Sequence, residues 1–450
     1  MPFSLLKVVG AFSLPASTLQ LAVQKMLLFA LFLLLPPSLN TLSREWDWSR
    51  TRTWAEYNMG RMMTASEAEF VATHYDVVGL GGIFGAHLNT AEVVQAAAAA
   101  QLKSFNKKLK VIIYRNSDLD LGFAEKASLE FRRHPEWLLR SADGFPVDCP
   151  GGKDPRCEKM QGQLTWDPTI KAVRDWFINA TIGAITNQTN GTAVDGVFVD
   201  GAGDEVDGRL TLSKSMFVNA SHASMVGELN RRLHAIRPGM LTIGNGAVLA
   251  LCGWDGRKEV KTPCTRNLNH LDSVCAEHFG SFESVDPVTG NFNGPIMEKW
   301  MTAVSEATAA GTAVFVKSWP GPFSMYNDTF TWKNFSDANI TLTNMDKKRL
   351  GAAALDWSLA AYLLIAAPTT YMSYGWWYQL STGYAPCPHD PASCACPDDW
   401  YPALLKPTGK PLGPRQRAPG GSGHVWTREF ERVSVQVDLG NFSHVFIRWK

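Results

Sequence analysis

The sequence predicts an α/β fold: a (β/α)8 barrel with a small antiparallel β appendage at its C-terminal end. Two observations support this. Eight short apolar runs recur between about residues 50 and 384, mostly separated by helix-like segments. Several of them hold four or five apolar residues without alternation, as expected of parallel strands buried on both faces. A doubly wound sheet is the competing architecture. It lacks support because "GLGGIFG" follows a strand without G-x-G-x-x-G spacing, and no acid follows in the expected setting.

The strand candidates, in order, are Thr53–Met59, Tyr75–Gly82, Leu109–Asn116, Val194–Gly201, Met240–Gly246, Leu271–Gly280, Thr312–Gly321 and Thr369–Trp377. The helices between them carry start and stop signals. Asn89 precedes Glu92 by three residues, as in a capping box opening "TAEVVQAAAAAQLKSF". Asp167-Pro168 places an acceptor at the cap and a proline at the first helical position. "FVNASHASMVGELNRRLHAIRPG" runs to Pro238-Gly239, and "KKRLGAAALDWSLAAYLLIAAP" is a long apolar helix feeding the last strand. After residue 385 comes a Pro- and Cys-rich loop, then "HVWTREFERVSVQVDLGNFSHVFIRW", which alternates as antiparallel strands.

Composition narrows the function. The 43 basic and 42 acidic residues nearly cancel, which gives no reason to expect nucleic acid or an anionic membrane as partner. Sixteen tryptophans suit either core packing or a cleft that stacks on sugar rings. Residues 1–40 read as a signal peptide or signal anchor around the apolar core Met26–Leu35, which is short for a bilayer span. Eight N-x-Ser/Thr sequons (Asn179, Asn187, Asn190, Asn219, Asn327, Asn334, Asn339, Asn441) suggest the secretory route. So do the clustered cysteines: Cys149 with Cys157, Cys252 with Cys264, and Cys387, Cys394 and Cys396. Cys275, inside an apolar run, reads as a buried thiol unless it pairs with the odd cysteine of the late loop. The chain is thus expected to be a secreted or lumenal monomer.

In a barrel of this kind, chemistry sits where strands end and βα loops begin. Polar residues at those ends are Glu56, Tyr57 and Asn58, then Arg115 and Asn116, Asp200, Asn245, Glu277 and His278, Lys317 and Trp319, and Tyr374 with Trp376 and Trp377. Alternation places Asp200 on the face of Phe198 and Gly196, and Glu277 on that of Cys275 and Ser273. Two carboxylates on strands four and six would face each other across the mouth, as glycosidic cleavage requires. Tyr57, Arg115, Asn116, Asn245, His278, Lys317, Trp319, Tyr374 and Trp376 are the expected substrate-positioning residues. Asp204 and Glu205 are expected as their supporting partners. Blander readings compete. Asp200 as a cap, or as a structural-ion ligand with Asp204, Glu205 and Asp207, is one, although "DGAGDEVDG" lacks the D-x-D-x-D-G order of a calcium loop. Glu277 as a satisfied polar strand end is another. Ten histidines without H-x-H or H-E-x-x-H spacing give no reason to expect a metal hydrolase, and no cofactor is expected.

"HPEWLLRSADG", "WDPTIKAVRDWF" and "VDGVFVDGAGDE" together resemble glycoside-hydrolase-like barrels near the α-galactosidase clan and the endo-α-1,4-polygalactosaminidases. "KPTGKPLGP" with "VWTREFERVSVQVD" is similar to their closing segment, and the likeness runs over residues 50–450. It implies a glycosidase with Asp200 in the place of the clan's strand-four nucleophile. Glu277 falls where the clan carries its strand-six acid/base, usually an aspartate, so that role and the stereochemical outcome stay open. A non-catalytic carbohydrate-binding barrel is the alternative.

Overall fold

The computed structural model describes residues 46–57, 62–81, 91–120, 130, 132–149, 164–202, 210–245, 271–280, 292–320, 344–375, 401–419 and 423–450. The chain divides into two compact units, 1–40 and 41–450, and only the second contains described residues.

Eight parallel strands form one sheet in sequence order: β1 (Trp54–Tyr57), β2 (Val77–Leu80), β3 (Lys110–Asn116), β4 (Gly196–Asp200), β5 (Leu241–Asn245), β6 (Ser273–Phe279), β7 (Ala313–Ser318) and β8 (Thr370–Tyr374). A parallel bridge between Thr53 and Met372, with Met372 N donating to Arg52 O at 2.9 Å, brings β8 back to β1 and closes the barrel. All eight expected strands are present, each lying within its expected bounds.

Inward side chains fill the barrel as one cluster: Trp54, Val77, Ile112, Phe198, Leu241, Ile243, Cys275, Ala313, Phe315 and Tyr371. Trp54 stacks on Phe198 at 6.1 Å and meets Phe315 edge-on at 5.6 Å, and Phe315 lies flat on Tyr371 at 4.7 Å. Trp54 also donates across the barrel to Val316 O at 3.0 Å. This aromatic plug is a solid floor beneath the mouth. Cys275 is a free, buried thiol within it.

The outer face of the sheet packs against α1 (Ala65–His74), α2 (Ala91–Phe105), α3 (Lys171–Thr186), α4 (Leu212–Ile236), α5 (Gly294–Ala309) and α6 (Asn344–Ile365). Sequence inspection singled out neither α1 nor α5. α1 nonetheless opens on a complete capping box between Thr64 and Glu67, and α5 opens on Asn293 with a proline in its first turn. The expected start at Asp167-Pro168 is corrected. α3 begins at Lys171, and Asp167 instead accepts from Thr169 N at 2.9 Å and pairs with Lys214 at 2.9 Å. α4 starts earlier than read, at Leu212, because Thr211 caps it. The expected cap at Asn89 lies outside the described residues.

The appendage is a four-stranded antiparallel sheet, β9 (Gln416–Arg417), β10 (Val425–Glu429), β11 (Val433–Asp438) and β12 (Val445–Trp449). Val433, Val435 and Val437 alternate inward into the main core. Polar contacts through Glu298 and Arg428 help fasten the sheet to the helices. Glu298 of α5 takes Arg417 at 2.8 and 2.9 Å and Trp426 Nε1 at 2.9 Å. Arg428 Nη1 donates to Leu363, Leu364 and Ala366 carbonyls at 3.0, 3.1 and 2.8 Å, capping the end of α6.

Candidate active site

The register between strands sets the site. Asn116 lies beside Asp200 across β3 and β4, and Asn245 beside Cys275 across β5 and β6. Lys317 lies on β7, next to the irregular stretch of β6. Pairing between β6 and β7 slips between Ala276 and Phe279, a bulge that contains Glu277. Such bulges re-aim side chains beside active sites. Here Glu277 keeps the inward face of Cys275, while Phe279 turns out into the helix-facing core.

Asp200 is held by four donors. Oδ2 accepts from Tyr114 Oη at 2.6 Å and Asn116 Nδ2 at 3.3 Å, and Oδ1 accepts from Asn245 Nδ2 at 2.8 Å and Gly201 N at 3.0 Å. The same Asn245 Nδ2 also donates to Glu277 Oε2. Glu277 is half-buried, and desolvation, followed by the Asp200 charge, pushes its carboxyl up to about 8. The Asn245 hydrogen bond and the Lys317 charge oppose that shift. Burial and the charge of Asp200 push the Tyr114 hydroxyl well above its ordinary range, which keeps it a donor. Lys317 is 1% exposed, lies 4.3 Å over the Trp319 ring, and donates to Gly375 O at 2.8 Å. Trp319 Nε1 donates to Glu277 O at 3.0 Å.

A third carboxyl belongs to this group. Glu56 shares the inward face of β1 with Trp54. Burial, then the charges of Glu277 and Asp200, raise it well above the carboxylate range, while Lys317 pulls the other way. Sequence reading assigned its neighbour Tyr57 to substrate. Tyr57 instead faces outward into the helix-packed core. Two-residue alternation from Trp54 was the available signal for Glu56, and alternation from Ile112 was the signal for Tyr114.

The structure separates the other expected residues into three groups. Asp200, Glu277, Asn116, Asn245 and Lys317 come together, with Trp319 behind Glu277. Arg115 does not join them. It points out of the barrel, where Nη1 bonds Gln95 Oε1 of α2 at 3.2 Å, so its place in substrate positioning is withdrawn. Tyr374 is likewise corrected: it faces outward, donating to Gly351 O of α6 at 2.5 Å and meeting Tyr401 edge-on at 5.3 Å. Both miss for one reason, that successive strand residues face opposite ways. Asp204, Glu205 and Trp376 lie outside the described residues, as does the side chain of His278. Cys149 is disulfide-bonded, its partner lying outside the described residues. Among the described residues, no group of three or more His, Cys, Asp and Glu is arranged to hold a metal ion, and no helix is long and apolar enough to cross a membrane.

A closed parallel barrel with carboxyls gathered at the carboxyl ends of its strands belongs to the class of barrel enzymes. The family follows from the sequence. The profile described as "Hypothetical glycosyl hydrolase family 15" matches residues 103–434, and the chain belongs to that family and is a glycosidase. A comparison with curated proteins gives no match. Among solved structures, the glycoside hydrolase domain of PelA from Pseudomonas aeruginosa is 13% identical over 73% of this chain and 96% of that one, at a TM-score of 0.40. Alpha-L-fucosidase isoenzyme 2 from Paenibacillus thiaminolyticus is 15% identical over 74% and 47%, at 0.42. Alpha-amylase from Geobacillus thermoleovorans is 10% identical over 87% of each chain, at 0.45. Likeness of this degree says nothing about substrate.

Proposed function

We propose that this glycosidase cleaves an O-glycosidic bond of an oligo- or polysaccharide with retention of configuration, Asp200 acting as nucleophile and Glu277 as acid/base. The observation that carries the reading is the single amide nitrogen of Asn245 shared by Asp200 and Glu277. Two hydrogen bonds diverging from one nitrogen keep their acceptors within about 5 Å of each other. That is the separation for direct attack; an inverting enzyme needs roughly 6.5–9.5 Å to admit a water.

The electrostatics divide the roles. Glu277, pushed up to about 8, carries the proton at neutral pH, and donates it to the leaving oxygen as the glycosidic bond breaks. An Asp200 oxygen forms the new bond to the anomeric carbon. The emptied Glu277 then takes a proton from the water that displaces Asp200. Tyr114, Asn116 and Asn245 orient Asp200, Trp319 holds the backbone of Glu277, and Lys317 offsets the negative charge of the cluster. The sequons and the disulfide-bonded Cys149 support a secretory-pathway location.

Asp200→Asn and Glu277→Gln variants, assayed on aryl glycosides and oligosaccharides with NMR of the first-formed anomer, test the reading. Asp200→Asn is expected to lose activity on every substrate, and Glu277→Gln to lose roughly 10²–10⁴-fold on poor leaving groups but far less on activated ones. Wild-type protein that binds glycan without cleaving it, indifferent to both substitutions, would leave only the carbohydrate-binding alternative.

A further inference from the structure

Behind the nucleophile lies a polar chain that the chemistry above does not use. His222 of α4 is 3% exposed, yet its Nε2 lies 2.8 Å from Ser117 Oγ and 3.5 Å from Asp118 Oδ1. Ser117, fully buried just after β3, donates from Oγ to the backbone carbonyl of Asp200 at 2.7 Å and from its amide to the same oxygen at 2.9 Å. Its own carbonyl takes Trp166 Nε1 at 2.6 Å. Asn116 Oδ1 holds the amides of Asp118 and Leu119 at 2.9 and 2.7 Å, which folds the turn after β3 against the end of β4.

The direction of each hydrogen bond is settled by what the atoms can do. A carbonyl oxygen only accepts, so the single hydroxyl proton of Ser117 is spent on Asp200. Ser117 Oγ must then accept from His222, which requires the neutral imidazole to carry its proton on Nε2. Burial lowers the His222 pKa to about 4, in keeping with a neutral ring. The Asp200 carbonyl thus has two donors on the very residue whose side chain would attack. The chain then leaves through Gly201 at φ 69°, where a Cβ would run into the Asp118 carboxylate. The peptide plane of Asp200, and with it the direction of its carboxylate, is fixed from behind.

We infer that Ser117 and His222 form a positioning relay, His222 Nε2–H to Ser117 Oγ–H to Asp200 C=O, that aims the nucleophile without touching substrate. The inference rests on Asp200 being the nucleophile. An ångström of misaim at an attacking atom is enough to cost up to about 10²-fold in rate. The relay therefore acts on kcat rather than on binding, and its two members act as one unit.

Two measurements test it. In histidine-¹⁵N-labelled wild-type protein near pH 7, the NMR shifts of His222 are expected to be those of a neutral ring protonated on Nε2. A ring protonated on Nδ1 overturns the relay whether or not the protein proves to be a glycosidase. Ser117→Ala, His222→Phe and the double variant are then assayed on aryl glycosides with good and poor leaving groups. Each single variant is expected to lower kcat by roughly 10- to 100-fold with KM changed less than about threefold. The loss should be equal for both leaving-group classes, since the acid is untouched, and the double variant should be no worse than the poorer single. Multiplying losses, a loss relieved by a good leaving group, or an unchanged kcat in folded variants overturns the inference. A wild type without glycosidase activity counts instead against the roles of Asp200 and Glu277, and the NMR result still decides the relay.

Discussion

Glu277 acquires its proton from its surroundings, since a glutamate in water is ionised well below neutral pH. Its position in a bulge at the inner wall removes solvent, and Asp200, across the shared Asn245 amide, adds a like charge. A group near 8 must keep its proton to act as acid, so kcat/KM is expected to decline as pH rises through about 8. Measured from pH 5 to 10 on an activated aryl glycoside, that alkaline limb should vanish in Glu277→Gln; an unchanged limb would assign it to another group. Residue identity alone made Asp200 and Glu277 visible, because an acid at the end of an apolar run stands out. Glu56 and Tyr114 were legible only through alternation, and the two-residue period separates Glu56 from Tyr57 and Tyr114 from Arg115. Ser117 and His222 carried no signal, since 105 residues separate them in the chain.

At the scale of elements, the eight strands were readable because runs buried on both faces need no partner to look apolar. Helix ends were less readable. Asp167-Pro168 has the composition of a cap, yet Lys214 of α4 and Thr169 claim the carboxylate and α3 starts at Lys171. The closing segment "VWTREFERVSVQVD" acquires a physical meaning only in the fold: Arg428 satisfies carbonyls at the end of α6 and lies 5.0 Å over the Phe430 ring, while burial lowers its pKa to about 10. Arg428→Met should therefore destabilise the protein by about 2–3 kcal/mol, because those carbonyls lose their donor in a half-buried site. Chemical denaturation measures it, and a change under about 0.5 kcal/mol would show that water replaces the guanidinium.

For the whole molecule, closing the barrel gathers three carboxyls and one buried lysine over an aromatic floor, and that arrangement has a cost that depends on pH. Glu277 in the folded chain holds its proton up to about 8, whereas the unfolded chain releases it near 4.3. Between those values the folded state binds more protons, so this group's contribution to stability falls as pH rises. His222 acts oppositely: folded it stays neutral down to about 4, unfolded it protonates near 6.5, so its contribution grows with pH across that window. The two slopes offset each other between about 4.5 and 6.5, leaving only the decline from about 6.5 to 8. Glu56, also raised, contributes a fall of the same sign as pH rises above its unfolded value. Glu277→Gln is therefore expected to be more stable than wild type at pH 8 and to lose most of the fall in Tm between pH 6.5 and 8. Parallel Tm–pH curves for the two proteins would sink this account.

By itself the sequence determined the barrel and its strand order, and singled out Asp200 and Glu277 as its candidate acids. These follow from the local period of apolar residues and from what terminates each run. Only the tertiary structure decided which neighbour at each strand end faces the mouth, that one asparagine amide joins Asp200 to Glu277, and that a buried histidine stands behind Asp200. Those facts depend on register between strands and on contacts between residues far apart in the chain, and neither is encoded in any short stretch of it.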